Sequence, residues 1–169
     1  PGGVGQLNSH YDAMLFMSVI SGRNPHYLIG EQVIAAPLVK DMGIETIPTG
    51  YILIDGGAGS TVEFMSGTRP IPMDRVDVTV AHALAGQYLG MKLIYFEAGS
   101  GANYPVSSHL IKAVNDVIDV PMIVGGGIRT PEVAAELVHS GASIIVTGTV
   151  IEDDASRMKE FSDAIHWRE

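Results

Sequence analysis

The chain has no cysteine among its 169 residues, which excludes a disulfide framework, thiolate metal sites and thiol redox chemistry. It also lacks any run near the roughly 18 apolar residues of a membrane-spanning helix, and its first residues form neither a basic flank nor an apolar signal core. A soluble cytoplasmic protein without a transmembrane segment is therefore expected. Positive charge is scarce, with 10 Lys and Arg against 19 Asp and Glu and a formal net charge of -9. Nucleic acid and anionic bilayers both reward clustered cations, so nonspecific binding to either is not expected. An anionic ligand has to be held locally, by backbone amides and single cations. No low-complexity segment, charged tail or linker interrupts the chain, so one domain over residues 1–169 is expected.

What is present is a hydrophobic content of 46% in which strand-like aliphatic runs alternate with segments of helical spacing, the pattern of repeated βα units. Five strands are expected, at 12–19, 45–55, 92–97, 121–124 and 143–147. One helix starts at Asn24-Pro25, carries the stripe Leu28, Ile29, Val33, Ile34, Leu38 and Val39, and stops at Gly43. Others are expected at 74–89, 107–118, 130–139 and 155–167. Ser107 and Thr130 are placed as N-caps, the latter before Pro131, which has no amide to leave unpaired. Between the second strand and its helix stand a Gly56 to Gly59 loop, read as a plain turn, a short extended piece at 61–65 and a turn-rich stretch at 68–72.

Met122-Ile123-Val124 and Ile144-Ile145-Val146 do not alternate with polar residues, so these strands are expected to be buried on both faces. That favours a barrel or a doubly wound sheet. Pro1-Gly2-Gly3 reads as the end of a strand entering a loop, and five strands cannot close an eight-stranded barrel. The expected fold is α/β, a (β/α)8 TIM-type barrel in which this chain supplies about strands four to eight.

Two glycine clusters follow strands directly. Gly125, Gly126 and Gly127 lead into Ile128-Arg129-Thr130-Pro131, where a helix start offers unpaired amides and the positive end of its dipole to an anion. Gly148 and Thr149 follow the last strand. In α/β barrels the loops after strands seven and eight commonly share one phosphate site, so the pair is more specific than either alone. The plainer alternative is that these glycines only make tight turns. Tyr95-Phe96-Glu97-Ala98-Gly99-Ser100-Gly101 ends the preceding strand, and Glu97 faces a ligand if it points inward; a solvated Glu in a capped loop is the alternative. Arg129 either supports the phosphate or pairs with an acidic neighbour. The six His, at 10, 26, 82, 109, 139 and 166, show no zinc-ligand spacing, and no nucleophile elbow is present.

The strings YFEAGSGA from Tyr95, VGGGIRTPE from Val124, IIVTGTVIE from Ile144, IPTGYILI from Ile47 and YDAMLFMSVISGRNP from Tyr11 together resemble the geranylgeranylglyceryl phosphate synthase family over nearly the whole chain. The resemblance implies a Mg2+-dependent prenyltransferase of archaeal-type ether phospholipid biosynthesis, joining geranylgeranyl diphosphate to the 3-hydroxyl of sn-glycerol 1-phosphate. It implies that Tyr95, Phe96, Glu97, Ala98, Gly99, Ser100 and Gly101 contact the glycerol phosphate and that Gly125, Gly126, Gly127, Gly148 and Thr149 hold its phosphate. Glu97 would bind or deprotonate the glycerol hydroxyl. The Mg2+ ligands are expected on the first strands, outside this segment, and the segment alone is expected to be inactive. The family also implies a homo-oligomer and, for the prenyl substrate, transient membrane contact. Tyr51, Ile52 and the Tyr88 region are candidates for the prenyl groove, against a plainer role in the core. Competing readings are a heptaprenylglyceryl phosphate synthase-like enzyme with a longer donor, a phosphate-sugar isomerase or lyase, and a noncatalytic phosphate-binding barrel module.

Overall fold

In the computed structural model, which describes residues 3–166, five strands run parallel in one sheet: β1 (Ala13–Val19), β2 (Glu45–Leu53), β3 (Leu93–Glu97), β4 (Met122–Gly125) and β5 (Ile144–Val146). Their spatial order is β1-β2-β3-β4-β5, the order of the chain. A doubly wound sheet reverses its strand order at a switch point. This sheet never does, so each βα unit steps on in one direction, as in a barrel.

Strand alternation gives the sheet two apolar faces. Ile52, Ile94, Phe96, Met122 and Val124 point outward and pack with Ala83, Leu110, Ile111, Val114 and Leu137. These come from α3 (Val76–Tyr88), α4 (Ser108–Asn115) and α5 (Pro131–His139). Val19, Tyr51, Leu53, Leu93, Tyr95 and Ile123 form a second cluster on the inner face. The central strands are therefore buried on both sides, which is why their sequences do not alternate. At the edge this expectation fails: Ile144 and Val146 are 46% and 39% exposed, because β5 pairs only with β4.

Three helical expectations are also corrected. The first helix opens with a π-helical turn, His26–Gly30, before α1 (Glu31–Asp41). Of its stripe only Val39 is buried, while Ile29, Val33, Ile34 and Leu38 are exposed; α1 lies over β1, which has a sheet neighbour on one side only. Residues 61–65 are not extended but belong to α2 (Thr61–Ser66). Ser60 accepts from the Glu63 amide at 3.1 Å and the Glu63 carboxylate accepts from the Ser60 amide at 3.4 Å. This capping box was present in the sequence as Ser60-x-x-Glu63 and outweighs the β preference of Thr61 and Val62. The last helix is divided into α6 (Thr149–Asp153), a 3-10 turn at Ala155–Arg157 and α7 (Met158–Ile165). Asp154 accepts from the Ser156 amide at 3.0 Å and restarts the chain there. Trp167, the expected helix end, and Pro1-Gly2 lie outside the described residues. The expected prenyl-groove residues also separate: Tyr51 faces inward, Ile52 is fully buried in the outer core, and Tyr88 is 79% exposed at the far end of α3.

Candidate functional site

The carboxyl ends of β3, β4 and β5 converge on a cleft of about 380 Å³. Alternation along β3 decides what reaches it. Tyr95 and Glu97 share the inner face and line the cleft, whereas Phe96 and Ala98 point the other way into the outer core, 0% and 3% exposed. Glu97 is half-buried, and one of its oxygens, Oε1, accepts from the Gly99 amide at 2.8 Å. The Tyr95 phenol stands close to the same carboxylate and favours its charged form.

Burial pushes the Glu97 carboxyl above the ordinary carboxylate range, against the Gly99 amide and the neighbouring Tyr95 phenol, which favour its charged form. The Tyr95 and Tyr51 phenols are pushed up as well, first by burial and then by the Glu97 charge. Their rings meet edge to face at 5.1 Å, an arrangement set by the register that puts Tyr51 opposite Tyr95. The result is a carboxylate on an apolar wall, fixed by one amide and flanked by a phenol, with a raised affinity for a proton.

The glycines of the next strand answer to packing as well as to a ligand. Gly126 and Gly127 have φ of 85° and 70°. A Cβ on Gly126 would stand 2.6 Å from Glu97 Oε1 and from the Gly99 amide nitrogen, and one on Gly127 2.7 Å from the Tyr104 carbonyl. They allow the β4 loop to lie directly against the β3 loop. Gly125 sits beneath the Tyr95 hydroxyl, where a Cβ would approach to 2.8 Å. Gly148 differs. Its φ is -109° and a Cβ there would meet only Glu152 Oε1, at 3.8 Å. Packing does not demand glycine at 148, while a ligand's close approach to the backbone would.

Of the residues expected at the site, Tyr95, Glu97, Ser100, Gly101, Gly126, Gly127, Gly148 and Thr149 line this one cleft. Gly99 and Gly125 stand behind them as support. Arg129 lines it too, with Nη2 donating to the Ala102 carbonyl at 3.0 Å; among the described residues it makes no ion pair with an acidic neighbour. Arg157 and Asp153 also line the cleft and were not anticipated. Arg157 is brought in by the break between α6 and α7, where its Nη1 donates to the Arg129 carbonyl at 3.4 Å and its guanidinium lies 5.5 Å from the Phe161 ring centroid. Thus two cations and several backbone turns surround a space bordered by two carboxylates, Glu97 at the end of β3 and Asp153 at the end of α6, and the turns with the two arginines suit the phosphate of a small ester whose hydroxyl lies against Glu97. Among the described residues no group of three or more His, Asp or Glu is placed to hold a metal ion, and no helix is long and apolar enough to cross a membrane.

Comparison with known proteins places this geometry. The model of the PcrB family matches residues 1–165. Geranylgeranylglyceryl phosphate synthase of Chitinophaga pinensis is 49% identical over 166 residues, covering 98% of this chain and 66% of that protein. The synthase of Pyrococcus horikoshii is 50% identical over 152 residues, covering 90% and 59%. The chain thus spans just under two-thirds, or less, of the length of these relatives. Among solved structures, (S)-3-O-geranylgeranylglyceryl phosphate synthase from Thermoplasma acidophilum in complex with its substrate sn-glycerol-1-phosphate superposes with a TM-score of 0.85 at 41% identity, covering 98% of this chain and 65% of that one. The wild-type enzyme from Thermoplasma volcanium superposes equally well, at 38% identity.

Proposed function

The chain belongs to the PcrB family, and from that premise we propose that it is the greater part of a geranylgeranylglyceryl phosphate synthase, which joins the prenyl group of geranylgeranyl diphosphate to the 3-hydroxyl of sn-glycerol 1-phosphate in ether-lipid synthesis. The observation that carries the reading is the cleft at the ends of β3, β4 and β5, lying in a chain that superposes over 98% of its length on a relative solved with sn-glycerol-1-phosphate.

In this reading the phosphate rests at Gly126, Gly127, Gly148 and Thr149, with Arg129 and Arg157 balancing its charge. Backbone amides and guanidinium groups are the donors that match phosphate oxygens. The glycerol hydroxyl lies against Glu97. The ether C–O bond forms as the C–O bond to diphosphate breaks, diphosphate leaves with its electron pair, and the hydroxyl proton passes to a Glu97 oxygen. A carboxylate is a weak base toward an intact alcohol, so proton transfer lags behind departure of diphosphate and the prenyl carbon gains allyl-cation character. The burial that raises the proton affinity of Glu97 assists this late step. The reading includes Mg2+ on the diphosphate, as the family resemblance implies. No ligand set for it is found among the described residues, and what this chain's own side chains supply is binding, orientation and the proton acceptor.

The test is prenyl transfer by the full-length protein with Mg2+, followed by product mass, using sn-glycerol 1-phosphate or its 3-phosphate enantiomer and donors of C20 or greater length. Product from the 1-phosphate with the C20 donor is expected, with Glu97→Gln lowering kcat about 10²-fold or more. Failure of every combination with folded protein would sink the assignment, and a preference for longer donors would move it to the heptaprenyl type.

A further inference from the structure

Behind the cleft stands a buried aromatic ring that neither the phosphate site nor the proton transfer uses. Tyr51 is 5% exposed, lies on the inner face of β2 and does not itself line the cleft. Its strand is held on both sides. The register sets Tyr51 opposite Val19 of β1 and Tyr95 of β3. The Ile20 amide donates to the Tyr51 carbonyl at 3.0 Å, and two residues further along β2 the Leu53 amide donates to Ser21 Oγ at 3.0 Å. A ring carried on such a strand is a fixed surface.

The ring that meets this surface is that of Tyr95, which is confined between its two neighbouring strands. Toward β2, the Tyr51 ring meets it with 5.1 Å between centroids and 62° between planes. Toward β4 lies the Gly125 backbone, where a Cβ would stand 2.8 Å from the Tyr95 hydroxyl, 3.2 Å from its Cε2 and 3.0 Å from Glu97 Oε2. The same glycine therefore lies under the tip of Tyr95 and under one oxygen of Glu97, while the Gly99 amide fixes the other oxygen. A tilt of the Tyr95 ring in one direction is blocked by backbone, and in the other by Tyr51. Burial and the Glu97 charge push the Tyr51 phenol up, so it stays un-ionised and contributes shape, not charge.

We propose that Tyr51 is a positioning residue for prenyl transfer: its ring wedges the Tyr95 ring against Gly125 and thereby holds the Glu97 carboxylate in the orientation from which it takes the glycerol proton. The inference rests on the function proposed above, and the contacts it uses lie within β2, β3, β4 and their loops. Without the ring, Tyr95 tilts into the vacated space and Glu97 follows. A misplacement of about 1 Å costs a reacting group as much as about 10²-fold in rate. The phosphate, held by the loops after β4 and β5, stays where it was.

The test uses the full-length protein and compares Tyr51→Leu, which removes the ring and leaves an apolar filler, with Tyr51→Phe, which keeps the ring. Both are measured at a temperature where circular dichroism shows them folded, with Tyr51→Met taking the place of a Leu variant that does not fold. With no substrate present, NMR of isotope-labelled tyrosine is expected to show slow flipping of the Tyr95 ring in wild type and Tyr51→Phe and fast flipping in Tyr51→Leu. The Gly99 amide should exchange with solvent faster in the Leu variant only. In turnover, Tyr51→Leu is expected to lower kcat about tenfold while KM for sn-glycerol 1-phosphate changes less than about twofold, and Tyr51→Phe to stay within about twofold of wild type. In a Glu97→Gln background Tyr51→Leu should cost nothing further, as expected for a residue that acts through Glu97. Unchanged ring flipping and Gly99 exchange in the Leu variant overturn the proposal. So does a kcat loss that Tyr51→Phe shares, a rise in KM alone, or a loss that persists undiminished with Glu97→Gln. A wild type that transfers no prenyl group fails the proposed function instead, and the ring and Gly99 measurements, which need no turnover, still decide whether Tyr51 holds Tyr95 and Glu97.

Discussion

Glu97 combines two roles that pull against each other: it has to bind or take a proton, and it has to sit on an apolar wall. An acid held above its ordinary pKa in the folded state binds its proton more tightly there than in the unfolded chain. Stability therefore falls as pH rises from the ordinary carboxylate value through the raised one. Glu97→Gln removes that penalty, so the variant is expected to have a higher thermal midpoint than wild type at pH 8, with the gain shrinking toward pH 4. An equal gain at both would show that the carboxyl is not perturbed by burial. The glycines separate by a similar argument. Gly126→Ala meets both a left-handed φ and the Glu97 carboxylate at 2.6 Å, and is expected to cost about 1–3 kcal/mol in denaturant unfolding. Gly148→Ala meets no close neighbour and is expected to change stability by less than about 0.5 kcal/mol while weakening glycerol phosphate binding about tenfold in a titration. The sequence shows that glycines follow each strand, but not which of them serves packing; that depends on the approach of the Gly99 and Tyr104 backbones, far away along the chain.

At the scale of elements, the helices with caps were legible and the junctions were not. Ser107 and Thr130 cap α4 and α5 as expected, accepting from the Leu110 and Val133 amides at 3.3 and 3.4 Å. Helix α2 could have been read from its capping box, yet its β-branched start points to a strand. Its small size makes the cap decisive. Ser60→Ala is expected to cost about 1 kcal/mol, localised there, and to speed amide exchange across Thr61–Ser66 about fivefold while β3 is unaffected. The break between α6 and α7 escaped prediction because it follows from where Phe161 packs, 5% exposed in the outer core, and this break is what delivers Arg157 to the cleft. Stripe residues such as Ile29 and Val33 were legible as apolar but not as exposed, since exposure depends on what lies beyond β1.

For the whole molecule, the sequential strand order and the two apolar faces make the sheet a section of a barrel, and the cleft forms where three successive strands end. Its construction explains how a chain of net charge -9 can present a local site for an anion: the donors are turns and two arginines held in place by carbonyls, not a basic surface. The central claim is that the ends of β3, β4 and β5 hold the glycerol phosphate, and amide chemical-shift mapping of the full-length protein titrated with sn-glycerol 1-phosphate tests it most directly. The account predicts that Glu97, Gly99, Gly126, Gly127, Gly148 and Thr149 shift together along one saturating curve. Shifts confined to other parts of the chain, or no saturable shift at the strand ends, would contradict it.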